Sequence, residues 1–217
     1  TTATITEEMR AVAATIEGDS GLTVTATGQP IVQELTQNAL LTTLVEGFLI
    51  TFVVIIIFLT LIFWARYGTP SLGPVVMLPV LCAQAWLFGT MYLAGLSFTT
   101  ETAIIAAIGV GIGVDYAIHI GERFVEERQE NGDSGAALQR TVRGTGGALL
   151  ASAATTAAGF GVLMLALVPS LQRFGFVTSV AITYAFLASV LVLPSLLTLW
   201  TRFADGESDD ATDVSTD

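Results

Sequence analysis

TAIIAAIGVGIGVDYAIHIGER, residues 102–123, carries no charge before Glu122 and Arg123 except at Asp115 and, when protonated, His119. About 20 apolar residues in a helix cross a hydrocarbon core of about 30 Å. An ionised carboxylate at the centre of such a helix costs at least about 2.5 kcal/mol on insertion scales, so it normally faces a protein interior or a wet cavity and marks an ion or proton path. A carboxyl held in that setting can load and release a proton. His119 lies one helical turn on and Glu122 three residues further, so all three share a face that leads toward one end of the span.

Four further uncharged runs stand around this one, at 47–65, 72–98, 144–168 and 174–200. The charged fraction is 12% against 53% hydrophobic residues, where a soluble domain carries about 25% charged residues. The reading is an all-α polytopic membrane bundle of five transmembrane helices, at about 44–65, 72–98, 100–123, 142–168 and 172–201 within a bundle of 42–203. Residues 1–41 read as the end of an extracellular α/β domain: a helix over 5–16, an alternating strand over 22–27, a break at Gly28-Gln29-Pro30, and a helix over 31–41 leading into the membrane. The segment 122–143 reads as a connector with a short helix through Arg128. Residues 204–217 read as an acidic disordered tail. The chain begins at Thr1 rather than Met and reads as a piece of a longer polypeptide.

All eight basic residues are arginine, and the net charge is −11. A basic nucleic-acid footprint is missing. Arg66, Arg123, Arg128, Arg140, Arg143 and Arg202 flank one side of the five runs, and Arg10 and Arg173 the other. The arginine-rich side is expected to be cytoplasmic, with the N-terminal piece outside the cell and the tail inside. Cys82, the single cysteine, sits in an apolar run and reads as a small buried hydrophobe.

Glycine is costly inside a helix unless something must approach closely. Gly109 and Gly113 form a small-xxx-small pair on a face away from Asp115, whereas Gly111 lies on the Asp115 face one turn before it, so this reads as the central helix of the bundle. Gly109, Gly111 and Gly113 also spell part of a dinucleotide loop, but no strand and no βαβ unit precede them. In the fourth run Ala148, Ser152, Thr155, Thr156 and Gly159 read as a stripe for close packing, with Ser152, Thr155 and Thr156 as candidate relay hydroxyls. The pattern holds no metal-ligand set, nucleophile elbow or phosphate loop, so neither an enzyme nor a cofactor or metal is expected.

GVGIGVDYAIHIGERF (109–124) resembles the Asp-bearing central helix of the resistance–nodulation–division (RND) transporters, and is most similar to the MMPL-type branch of lipid and hydrophobe exporters. SAATTAAGFG (152–161) resembles the helix that follows it in that family, and Thr27-Gly28-Gln29-Pro30 the exit from the family's porter domain. The resemblance implies the C-terminal portion of a proton-driven exporter of lipids or other hydrophobic compounds. It implies that Asp115 and Tyr116 couple to protons, meeting matching residues on the equivalent helix of another repeat. His119 is a further candidate in the relay. The partners implied are the first repeat of the same polypeptide or a second copy, a hydrophobic substrate, protons and membrane lipid, with an oligomer among the arrangements allowed. Two alternatives stand beside it. A Sec-type protein-export accessory carries Ala-Asn after the acid, where this chain has Tyr116-Ala117. A sterol-sensing-like scaffold binds lipid without proton coupling.

Overall fold

The computed structural model describes residues 2–20 and 28–213. Its elements are α1 (Thr2–Ser20), α2 (Gln29–Tyr67), α3 (Leu72–Leu93), α4 (Thr100–Asn131), α5 (Ser134–Gly161) with a 3₁₀ turn Val162–Leu165, α6 (Pro169–Leu187), a π turn Ala188–Val192, and α7 (Leu193–Asp213). Five stretches are long and apolar enough to cross a membrane: Thr42–Tyr67, Leu72–Leu93, Thr100–Glu130, Ser134–Leu165 and Pro169–Phe203.

Several boundaries differ from the sequence reading, each for a local reason. The expected strand at 22–27 falls outside the described residues, and no strand occurs among them. The described residues that precede the first span, apart from Gly28, are helical, and the α/β fragment is not seen among them. Pro30 lies in the first turn of α2, where a missing N–H costs nothing. From there the lead-in segment and the first span form one helix of 39 residues. The α3 helix stops at Leu93, short of the expected 98, because Gly95 turns the chain in the left-handed region at φ 65°.

The connector expected over 122–143 is almost entirely helical. The α4 helix runs on to Asn131 and ends at Gly132, whose φ is 71°. Asp133 then caps α5, accepting from the Gly135 and Ala136 amides at 3.0 and 3.3 Å. A two-residue turn thus replaces a loop, since the glycine ends one helix and the aspartate starts the next. The backbone of α7 continues to Asp213, past the point at 204 where the sequence reading begins a disordered tail. Extending an anchored helix avoids the nucleation cost that a free segment would meet.

The centre of the bundle is α3, α4 and the α6–α7 span. Of their apolar windows 50%, 44% and 44% is buried, against 11% for α2 and for α5. Phe63, Val76, Met77, Val80, Ala117, Ile120, Phe124, Leu193 and Leu197 fill the larger core cluster. Leu87, Met91, Ile105, Ala106, Val177 and Ala181 fill a second. The α4 helix starts from a capping box, in which the Thr99 hydroxyl accepts from the Thr102 amide at 3.3 Å and the Thr102 hydroxyl accepts from the Thr99 amide at 2.8 Å.

Candidate functional site

Asp115 lies at the midpoint of the span Thr100–Glu130. It thus stands midway along the apolar span, as counting along the sequence places it, but this chain does not enclose it. The Asp115 side chain is 66% exposed and that of His119 54%, with His119 Nε2 3.6 Å from Asp115 Oδ1. Both stand on a face of α4 that no other described helix covers. Gly111 belongs to the same open row: a Cβ built there meets nothing within 4 Å.

The opposite face of α4 is closed. A Cβ on Gly109 would sit 3.0 Å from Gln84 Nε2 on α3 and 3.5 Å from the Ala181 Cβ on α6. One on Gly113 would lie 3.3 Å from Val80 and 3.7 Å from Ala185, and one on Gly121 only 2.9 Å from Val76. These glycines let α4 settle between α3 and α6, and the rotation this sets leaves Asp115 pointing outward. Tyr116, one residue on, turns about 100° from Asp115 and is buried in the core, 4% exposed. The structure therefore brings Asp115 and His119 together and sends the Tyr116 ring elsewhere.

On the neighbouring helix α5, Ser152, Thr155 and Gly159 are exposed and Thr156 is half-buried. Thr155 donates to the Ala151 and Ser152 carbonyls at 2.9 and 3.0 Å, and Thr156 to the Ser152 carbonyl at 2.8 Å. These hydroxyls thus bond their own helix, and among the described residues none reaches Asp115. Gly159 meets nothing within 4 Å, so any packing it serves is with something beyond the described helices.

Below His119 a charged collar ties the helix ends together. Arg66 on α2 donates to Glu122 on α4 at 2.7 Å. Glu127, with only 7% of its side chain exposed, lies between Arg123 at 2.5 Å and Arg140 of α5 at 3.5 Å. Arg128 stands over the Trp200 ring at 5.4 Å, and Trp200 donates to Ser71 at 3.0 Å. Exposed ion pairs contribute little, but a buried carboxylate needs partners of this kind. The sequence reading placed Glu122 on the Asp115 face and 122–143 in a connector, and did not single out Glu127. Its only visible signal was helical spacing from Arg123.

Gln84 was also missed, though it is the one amide side chain in its span. It is 5% exposed, and its Oε1 is buried without a partner among the described residues.

An apolar hollow of about 290 Å³ opens between α2 and α4 on the other side of Asp115 from the collar, lined by Thr43, Leu44, Gly47, Phe48, Thr51, Ala103, Ala107 and Val110. Among the described residues no group of His, Cys, Asp and Glu could hold a metal ion.

A family model described as "MMPL family" matches residues 2–212. The chain is 33% identical over 182 residues to a "putative membrane protein" of Methanocaldococcus jannaschii, a match covering 84% of this chain and 46% of the relative. It is 32% identical over 102 residues to the apo-petrobactin exporter of Bacillus anthracis, covering 47% of this chain and 14% of that one. It is 30% identical over 111 residues to the sulfolipid-1 exporter MmpL8 of Mycobacterium tuberculosis, covering 51% and 10%. The matched stretches thus span less than half the length of these relatives. No solved structure matches it.

Proposed function

The chain belongs to the MMPL family, and on that premise we propose that it is the membrane part of a proton-driven exporter in which Asp115 is the coupling carboxylate. The observation that carries this reading is an acid at mid-span on a face of α4 left open by its own bundle, with His119 one turn along. A carboxylate turned toward lipid would be strongly penalised, so it must face a second protein surface or a wet cavity. Loading a proton removes the charge and changes what that contact costs. One proton moving through 100 mV supplies about 2.3 kcal/mol, which is enough to bias a two-state motion by tens-fold.

A hydrophobic or lipid-like substrate is supported by the apolar hollow between α2 and α4. It is also supported by family members named as exporters, one of them of sulfolipid-1. The arginine-rich collar is the cytoplasmic end in this reading, with α1 outside the cell. His119 lines the route from Asp115 toward the collar. Tyr116 acts from the core as a positioning residue for the turn that holds Asp115.

The test is Asp115→Asn in the full-length protein, with efflux and proton uptake measured side by side. Asparagine keeps size and insertion and mimics the protonated acid, so expression should hold while both fluxes fall to background. Efflux at a near-native rate under a proton gradient would sink the coupling role and favour a lipid-binding scaffold.

A further inference from the structure

We propose that a small cavity at the end of the bundle away from the arginine collar holds the headgroup of a phosphatidylethanolamine molecule, with Glu101 taking the ammonium and Arg173 the phosphate. The occupant is a resident lipid rather than cargo, so the inference does not depend on the exporter reading.

The cavity and its charges come first. A hollow of about 180 Å³ lies between the start of α4 and the start of α6, with the turn after α3 along its third side. Glu101 and Arg173 both line it, and among the described residues neither side chain makes an ion pair or a hydrogen bond. The opposite end of the bundle behaves differently. There Arg66 meets Glu122, and Glu127 lies between Arg123 and Arg140. Two opposite charges that share one cavity without closing on each other suit a guest that carries both signs. A guanidinium fork matches the oxygens of a phosphate. A primary ammonium has three donors to give, and the Glu101 carboxylate and the Ser97 hydroxyl can accept them. Thr99 and Thr102 also line the hollow, but their hydroxyls are already spent on the capping box.

Depth points to the bilayer as the source. Glu101 stands immediately before the apolar run that opens at Thr102, and Arg173 immediately before the run that opens at Phe174. The floor of the hollow is Ile105, Phe174 and Val177, all part of the second core cluster. Charge at the rim and apolar side chains beneath it repeat the order of a phospholipid, headgroup first and acyl chains below. Tyr92 and Leu93, at the end of α3 just ahead of the lining turn, are almost wholly exposed. Aromatic residues concentrate at this level of a membrane, and the two side chains offer apolar surface to the lipid.

The lining also chooses among headgroups. A volume of 180 Å³ corresponds to about six waters at about 30 Å³ each, enough for ethanolamine phosphate. A choline has no N–H to give to Glu101 and is held by cages of aromatic faces, whereas Phe174 is the single ring in this lining. A glycerol headgroup would satisfy Arg173 and leave Glu101 without a partner. Bound in this way, the lipid ties the first turns of α4 and α6 together and stabilises the bundle by mass action.

The experiment places the full-length polypeptide that carries this chain in nanodiscs of phosphatidylcholine, alone or with a minor share of phosphatidylethanolamine. Lipid retained after transfer to detergent is counted by native mass spectrometry, and melting temperature is followed in the discs. The wild type should keep phosphatidylethanolamine in preference to phosphatidylcholine and melt higher when it is present. Glu101→Gln and Arg173→Gln should each cut that retention at least about tenfold, since each removes a charged hydrogen bond. Both variants should melt with the wild type in phosphatidylcholine alone, which shows that the fold is intact, and neither should gain from the ethanolamine lipid. Glu130→Gln, at the other end of α4, should behave as wild type. Equal retention of the two lipids, or retention unmoved by both cavity substitutions, would overturn the proposal. Free phosphoethanolamine that raises the melting temperature as much as the lipid does, at the same concentration, would also overturn it and assign the cavity to a soluble zwitterion. The outcome of Asp115→Asn on efflux is untouched by any of these results, so the two readings fail separately.

Discussion

The helices α2 and α5 are equally bare within the chain, with 11% of each apolar window buried, yet they expose opposite kinds of surface. The outer side of α2 is built from Leu49, Ile50, Val53, Val54, Ile57, Phe58, Leu61 and Trp64. The outer side of α5 carries Gly147, Ala148, Ala151, Ser152, Ala154, Thr155, Ala158 and Gly159, with Leu150 the bulky exception. Hydropathy alone treats the two as similar spans. Side-chain volume separates them, because lipid chains fill around large groups whereas a second helix can approach closely only where groups are small. The difference teaches that exposure in a membrane bundle has two meanings, and that Asp115 stands on α4 beside the helix whose surface is suited to protein.

Asp115→Asn should have the largest effect, taking transport at least about a hundredfold down, which corresponds to about 2.7 kcal/mol at 1.36 kcal/mol per tenfold. Equal loss from a charge-neutral change on α2 would erase the distinction between the two surfaces. Gly113→Leu comes next. Its Cβ alone would lie 3.3 Å from Val80, so overpacking should cost about 1–3 kcal/mol or more. It should appear as reduced yield and a lower detergent melting temperature rather than altered coupling.

Ser152→Leu with Thr155→Leu adds volume to the open α5 face without removing a titrating group. Transport should drop about tenfold, equivalent to about 1.4 kcal/mol, while Val53→Leu with Ile57→Leu on α2 leaves it unchanged. Matching results from the two pairs would mean that α5 also faces lipid. A smaller loss belongs to Tyr116→Phe. It removes one hydroxyl from a buried ring, worth about 0.5–1.5 kcal/mol, so efflux should persist at a reduced rate and the proton-to-substrate ratio should hold. The mildest of the series is His119→Ala, expected to shift efflux by about twofold or less if the imidazole only lines the route. Abolition of proton uptake by that change would move His119 from the lining to the relay itself.

Much of the fold was legible as a pattern of charge and its absence. Five apolar runs, arginines at their ends and an acid in the third follow from the solvation cost of charge in hydrocarbon, which acts residue by residue. The glycines of α4 could be sorted into two faces by helical angle alone, because their spacing sets the angle. Helix ends were read less well. The turn at Gly132-Asp133 has a glycine that stops one helix and an aspartate that caps the next, yet the charged residues around it resembled a loop.

What the third run alone established is that a carboxyl sits at mid-span with a histidine one turn on, a matter of counting residues along a helix. Only the tertiary structure decided which way that carboxyl points. The rotation of α4 is set by contacts made elsewhere: Gly109 against Gln84, Gly113 against Val80 and Ala185, Gly121 against Val76. Those contacts close one face, bury Tyr116, hold Glu127 between Arg123 and Arg140, and turn Asp115 out beside the small-residue face of α5. A sequence fixes angles within one helix, whereas the direction of a side chain relative to its neighbours depends on how several helices pack at once.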